Sequence, residues 1–142
     1  MEKVGGVIVS HGQLANELLA AAETVVGEIS HVTAVSIGWH DDVEMAKSEV
    51  ERAIRSVSKG SGVLVMTDMF GGTPTNIAAM FLTPGEVELV TGVNLPMVIK
   101  LASSSTEDPL AEIARKICDQ GRQGIYLAGA LLAQPPTKTG AD

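Results

Sequence analysis

Short apolar runs alternate along this chain with longer stretches whose apolar residues recur at helical spacing. The short runs predict buried strands over residues 4–10, 32–37, 63–67 and 87–91. The stretches between them predict helices over residues 13–26, 42–57, 74–82 and 108–120, with a further helical segment after Asn94. The second of these helices is expected to have Asp41 or Asp42 as its cap. A last apolar run predicts a final strand over residues 124–132. The pattern therefore indicates that strands and helices alternate along most of the chain.

This alternation predicts a doubly wound α/β fold. Strands joined by helices favour a mainly parallel sheet, here of four strands with helices on both faces and right-handed crossovers. We expect the first strand at the sheet centre, between the second and the third, so that the winding direction switches between strands one and three. Residues 1–133 are expected to form one domain. Residues 134–142, which are polar and contain two prolines, are expected to form a flexible tail.

Composition and charge narrow the functional classes. Hydrophobic residues make up 45% of the 142 residues, so the chain is not intrinsically disordered. A net charge of −7 without a basic cluster argues against nucleic acid and anionic membranes as direct partners. The one cysteine, Cys118, excludes an internal disulfide and fits a reducing cytosol. Neither a signal peptide nor an apolar stretch of about 20 residues is visible, so we expect a cytoplasmic protein.

His11 and Asp68 are the candidate catalytic residues, because each directly follows one of the two strands beside the predicted switch point. A histidine that donates from one ring nitrogen to a carboxylate keeps the lone pair of the other nitrogen for nucleophilic attack. Gly71, Gly72 and Thr73 then lead into a helix start, with Thr73 as the expected N-cap. Free N–H groups at such a start favour an anion. The pattern indicates phosphoryl chemistry on His11, with these three residues binding the phosphoryl oxygens.

Other residues at this edge of the sheet are less distinctive. Ser10, Phe70 and Asn94 are expected on the rim of the site, although Asn94 also suits a helix cap. His40 follows the second strand, which leaves open a metal site of His11, Asp68 and His40 for hydrolysis. Against that alternative, the sequence has no HExxH motif. We therefore expect neither a metal nor another cofactor.

Three ordered motifs carry a resemblance to a known family: residues 8–12 (IVSHG), 67–76 (TDMFGGTPTN) and 91–97 (TGVNLPM). The chain resembles the IIA component of the mannose family of the bacterial phosphoenolpyruvate-dependent sugar phosphotransferase system. The resemblance implies a phosphotransferase in which His11 receives a phosphoryl group from the carrier protein HPr and passes it to a IIB component. It also implies that Asp68 is the hydrogen-bond partner of His11. The implied fold is a four-stranded parallel sheet with an antiparallel strand, residues 124–132, exchanged within a homodimer.

The resemblance leaves several functional alternatives open. Because the sequence stops at Asp142, without a linker into a IIB domain, we expect the acceptor to be a separate chain and contact with a membrane to be indirect, through a transporter complex. A regulatory module that responds to the phosphorylation of His11 would use the same chemistry. So would the phosphoryl donor of a dihydroxyacetone kinase system. The sequence does not identify the sugar.

Overall fold

The computed structural model of the protein describes residues 3–38, 41–104 and 107–133. The strands are β1 (Gly5–His11), β2 (Val32–Ile37), β3 (Val63–Thr67) and β4 (Val87–Thr91). The helices are α1 (Leu14–Val26), α2 (Val43–Val57), α3 (Gly72–Ala79), α4 (Leu95–Ser103), α5 (Leu110–Gln123) and α6 (Ala128–Leu132). The predicted alternation of strands and helices is therefore confirmed up to the end of α5.

The four strands form one parallel sheet in the order β2-β1-β3-β4. Val7 of β1 pairs with Thr33 of β2 on one side and with Val65 of β3 on the other. The predicted centre of the sheet and its switch point between β1 and β3 are thus confirmed. This topology brings the carboxyl ends of β1 and β3 next to each other, where His11 and Asp68 lie.

Helices cover both faces of the sheet, as a doubly wound fold requires. Side chains alternate along each strand, so that Ile8 and Leu64 point to one face and Val7 and Val65 to the other. The first face packs against α1, α4 and α5, and the second against α2 and α3. Each fully buried aliphatic side chain contributes about 1.5–3 kcal/mol through its burial. This core holds the strand ends in fixed positions.

The final strand predicted for residues 124–132 is absent from this chain on its own. Residues 125–127 have no regular structure, and α6 is a helix. A strand must pair its backbone groups with a neighbouring strand, whereas a helix pairs them within itself. Here the N–H groups of Leu131 and Ala133 donate to the carbonyls of Leu127 and Gly129, at 3.1 and 3.0 Å. The predicted strand was therefore wrong for the single chain, because residues 127–133 pair their backbone groups within a short helix.

Within residues 3–38, 41–104 and 107–133, no helix is both long enough and apolar enough to cross a membrane.

Candidate functional site

His11 is the last residue of β1 and the first of that strand to reach the surface. Residues 5–10 are buried, whereas the His11 side chain is 52% exposed. Gly12 has a φ of 56°, which a glycine adopts without strain, and the chain turns there towards α1. The turn covers Ser10, whose Oγ accepts the N–H of Ala15 at 2.7 Å. The expected rim position of Ser10 is therefore wrong, because the residue is buried and its hydroxyl accepts a hydrogen bond from the first turn of α1.

Asp68 directly follows β3 and contacts His11 through a single oxygen. Its Oδ2 accepts from Nδ1 of the ring at 2.8 Å and from the backbone N–H of His11 at 2.9 Å. A carboxylate oxygen that accepts twice brings no proton to the ring, so Nδ1 carries the hydrogen and Nε2 keeps its lone pair. The Asp68 side chain is 12% exposed. The structure thus brings the two predicted residues together, and no hydrogen bond to Nε2 is formed within the described parts of the chain.

Gly72 forms the wall against which Nε2 lies. A Cβ atom at this position would stand 3.2 Å from Nε2 and 3.1 Å from Cε1 of His11. Gly72 also has a φ of 85°, in the left-handed region that favours glycine. The absence of a side chain therefore leaves room beside the free nitrogen.

Helix α3 begins at Gly72 with Gly71 as its N-cap, so the expectation that Thr73 caps this helix is wrong. The physical reason is the pair of left-handed glycines, which turn the chain before it reaches Thr73 and place this residue inside the first turn. A glycine N-cap has no side chain to accept the first N–H groups of the helix. These groups are consequently available to an anion bound next to His11.

A cavity of about 440 Å³ adjoins His11 at the carboxyl edge of the sheet. Its walls include Gly38 after β2, Val43 at the start of α2, and Thr73. Asp41 also lines it and accepts the N–H of Gly38 at 2.6 Å, while Asp42 is the N-cap of α2. The pattern predicted a cap at Asp41 or Asp42 but not that Asp41 would line the site. Trp39 and His40 lie outside the described residues.

A slightly larger cleft, of about 500 Å³, lies at the opposite edge of the sheet. Lys3, Lys59 and His31 line this cleft; in the last turn of α4, the Ala102 carbonyl accepts from Lys3 at 3.0 Å, and the Leu101 carbonyl lies 3.5 Å from His31. Burial lowers the pKa of His31 below its ordinary value of 6.5. This cleft lacks a histidine held by a carboxylate, so the geometry favours the smaller cavity as the functional site.

Phe70 and Asn94 differ in their relation to the site. Phe70 is 85% exposed on the glycine loop, and its place on the rim of the site stays a prediction. Asn94 is the N-cap of α4: its Oδ1 accepts the N–H of Met97 at 3.2 Å, and its Nδ2 donates to the carbonyl of Gly121 at 3.1 Å. The polar atoms of Asn94 therefore link α4 to the end of α5, which is the cap role that the sequence also suggested.

Two threonine hydroxyls were missed as site residues. Thr67 and Thr75 are both buried, and their Oγ1 atoms are 2.7 Å apart beneath the loop that carries Asp68. The sequence signal for them is a threonine at the first position of the motif 67–76 and another eight residues later. Across residues 3–38, 41–104 and 107–133, no group of three or more His, Cys, Asp or Glu side chains is placed to hold a metal ion.

Comparisons with known proteins show which family the chain resembles. A family model for the phosphotransferase system (PTS) fructose IIA component, EIIA-man, matches residues 5–118. The mannose-specific EIIAB component of Escherichia coli K12 is 34% identical over 139 residues, which cover 93% of this chain. The chain spans only 41% of the length of that relative. The fructose-specific EIIA component of Bacillus subtilis is 24% identical, over 92% of this chain and 90% of its own.

A solved structure is similar over nearly its whole length. The mannose/sorbose specific IIA subunit of the phosphotransferase system from Enterococcus faecalis has a TM-score of 0.79 and 28% identity. The alignment covers 94% of this chain and 97% of that subunit. The resemblance carried by the three sequence motifs is thereby confirmed. Because the family match covers most of the sequence, this chain belongs to the EIIA-man family of phosphotransferase-system IIA components.

Proposed function

We propose that the chain is a phosphocarrier in which Nε2 of His11 accepts a phosphoryl group from phospho-HPr and passes it to a IIB component. The observation that carries the proposal is the different surroundings of the two ring nitrogens of His11. Asp68 holds Nδ1 at 2.8 Å, while Nε2 lies beside Gly72 without a hydrogen-bond partner among the described residues. A nitrogen nucleophile with a fixed lone pair and room for an incoming group is what this transfer requires.

The reaction exchanges one phosphorus–nitrogen bond for another. The lone pair of Nε2 attacks the phosphorus of the donor phosphohistidine, the bond to the donor nitrogen breaks, and that nitrogen keeps the electron pair. Positive charge develops on the His11 ring as the new bond forms, and the Asp68 carboxylate at Nδ1 stabilises it. The N–H groups at the start of α3 and the Thr73 hydroxyl are proposed to hold the phosphoryl oxygens. Because donor and acceptor bonds are alike, the transfer is expected to be reversible.

The surface next to His11 supports protein partners. Phe70 is 85% exposed, Met69 is 53% exposed, and Val43, on the wall of the cavity, is 50% exposed. Exposed apolar side chains at the edge of a polar site are typical of a surface that binds another protein. We propose that HPr and the IIB component dock on this surface in turn, each bringing its own phosphoryl-carrying residue to Nε2.

Labelling of His11 tests the function. Incubation with phosphoenolpyruvate, enzyme I and HPr should add one acid-labile, base-stable phosphate per chain, as a phosphorus–nitrogen bond requires. His11→Ala should abolish the labelling, while His31→Ala, at the opposite edge of the sheet, should retain it, as should His40→Ala. Adding a IIB component as a separate polypeptide should remove the label. Mass spectrometry in basic solution that located the phosphate on another residue would overturn the proposal.

A homodimer is the proposed assembly. The apolar residues Ile125, Leu127 and Leu132 are 77%, 81% and 81% exposed in the single chain. An apolar segment of this length is a liability that a monomer has to cover. We propose that residues 124–132 of each chain pair as an antiparallel strand with the sheet of the partner, which would bury these side chains.

A further inference from the structure

Two buried hydroxyls lie directly beneath the loop that carries Asp68. Thr67 is the last residue of β3, and Thr75 lies in the first turn of α3. Their Oγ1 atoms are 2.7 Å apart, and Oγ1 of Thr75 is also 2.6 Å from the carbonyl oxygen of Met69. Thr67 is fully buried and Thr75 is 7% exposed. The hydroxyls therefore connect the end of the strand, the loop and the start of the helix.

The chemistry of the groups fixes the direction of these hydrogen bonds. A hydroxyl has one hydrogen, and a carbonyl oxygen can only accept, so Thr75 donates to Met69. The oxygen of Thr75 must then accept the hydrogen of Thr67. Thr75 thus fastens the Met69 carbonyl to the core, and Thr67 orients the hydroxyl of Thr75.

The orientation of the Asp68 carboxylate depends on hydrogen bonds of the backbone on either side of Asp68. Its Oδ2 meets donors of His11, and in the described parts of the chain its Oδ1 is buried without a hydrogen-bond partner. On one side, the Thr67 carbonyl accepts the N–H groups of Gly92 and Val93, both at 2.9 Å. On the other side, the Met69 carbonyl accepts from Thr75. The carboxylate is aimed at Nδ1 because the chain is held at both of these points.

We infer that Thr75 is a positioning residue for phosphoryl transfer. Its hydroxyl holds the Met69 carbonyl, and through it the direction in which Asp68 meets Nδ1 of His11. Thr75 acts through Asp68 and needs no contact with the phosphoryl group. This inference rests on the phosphocarrier function proposed above, but its first effect, on the protons of the His11 ring, precedes any transfer.

Thr75→Val is the direct test, because valine has nearly the same shape and lacks the hydroxyl. It leaves the Met69 carbonyl without its donor and the Thr67 hydroxyl without its acceptor. With ¹⁵N NMR of the ring nitrogens, and no phosphoryl donor present, we expect a larger share of the tautomer protonated at Nε2. Phosphoryl transfer from phospho-HPr should fall about tenfold or more, since small displacements at a reacting centre reduce the rate strongly. Thr75→Ser keeps the hydroxyl and should restore both readouts.

Two further variants separate positioning from stability. Thr67→Val removes a buried hydroxyl from the same pair but keeps the bond between Thr75 and Met69, so it should shift the tautomers and the rate less than Thr75→Val. Thr24→Val is the matched control, because the Thr24 hydroxyl also donates to a carbonyl, that of Ala20 at 3.0 Å, on the exposed side of α1. It should leave both readouts unchanged.

The outcomes are distinguishable. Unaltered ring signals and an unaltered rate in Thr75→Val would overturn the inference. Equal rate losses in Thr75→Val and Thr67→Val, in step with equal losses of melting temperature, would also overturn it, because they would assign both residues to stability alone. If the wild-type protein took no phosphoryl group, the proposed function would fail, while the ring signals would still decide the positioning role.

Discussion

Asp68 carries two hydrogen bonds of His11 on one oxygen, so its charge and its acceptor capacity both act on the ring. Asp68→Asn removes the charge and places an amide that can donate to Nδ1, which favours the tautomer protonated at Nε2. We expect the fold to remain and the labelling of His11 to slow by at least about a hundredfold, as for other substitutions that reverse a catalytic tautomer. Rapid-quench labelling measures this rate. Labelling at the wild-type rate would contradict the orienting role of Asp68.

Gly72 and Gly71 provide a matched pair of substitutions. Both have φ near +85° to +89°, so either change to alanine strains the backbone by about 1–2 kcal/mol. The new Cβ at Gly72 would lie 3.2 Å from Nε2, whereas no described atom lies within 4 Å of a Cβ at Gly71. We expect similar losses in the free energy of unfolding, measured with urea, but much slower labelling of His11 in Gly72→Ala alone. Equal labelling rates would show that Gly72 does not limit access to Nε2.

His31 gives the protein a pH dependence that is separate from the reaction. Its pKa is lowered chiefly by burial, with Lys3 adding to the effect and the Leu101 carbonyl opposing it. The unfolded chain therefore binds the proton more readily, so this stabilising contribution is complete above pH 6.5 and declines as the pH falls towards the folded pKa. In His31→Gln, the melting temperature should depend less on pH below 6.5. An unchanged slope would contradict this assignment.

The residues of the site were predictable from the sequence where topology alone decided their place. His11 and Asp68 each follow a buried strand, and the strand order brings those two ends together. Thr75 was not predictable as a site residue, because its partner Thr67 and the Met69 carbonyl reach it only through the turn that two left-handed glycines make. Asp41 was assigned only a cap role for a similar reason, since its place in the cavity depends on the path of a loop.

At the scale of the element, Asn94 links two helices that together cover one face of the sheet. Asn94→Ala removes the cap of α4 and the donor to the Gly121 carbonyl. We expect the free energy of unfolding to fall by about 1–2 kcal/mol, the range for a lost cap, with little change in labelling of His11. Asn16→Ala is a suitable control, because the amide of Asn16 donates to the exposed side chain of Gln13. A large loss of labelling without a loss of stability would instead assign Asn94 to the site.

The elements themselves were predicted well where hydrophobic pattern and turn residues agreed. The bounds of β2, β3 and β4 match the prediction, because each apolar run is flanked by polar or glycine residues. Helix α3 begins earlier than predicted, since Thr73 has a cap-forming side chain but the glycines before it set the turn. For residues 124–132, the apolar run gave no way to distinguish a strand that needs a partner from a short helix formed without one.

At the scale of the whole molecule, the two ends of the carboxyl-terminal region should differ in importance. Removing residues 135–142 takes away a polar segment that we expect to contribute little, so solubility, labelling and melting temperature should remain near those of the full chain. Deletion from Gly124 onward should instead give poorly soluble protein. It removes the strand that we propose pairs with the sheet of the partner, so the edge of that sheet would be left uncovered. Equal solubility of the two truncated proteins would count against exchange.

The dimer itself makes the last prediction. Leu127→Asp would place a charge on a residue that is 81% exposed in the single chain but buried in the proposed exchanged strand. Since burying an unpaired carboxylate is costly, the dimer should dissociate to monomers at micromolar concentration in sedimentation equilibrium, where the wild-type protein should remain dimeric. Val25→Asp is the control, because Val25 is 62% exposed on α1, away from the exchanged segment, and its change should leave the dimer intact. A wild-type protein that is monomeric under these conditions would contradict the exchange, and residues 124–132 would then remain the loop and short helix of the single chain.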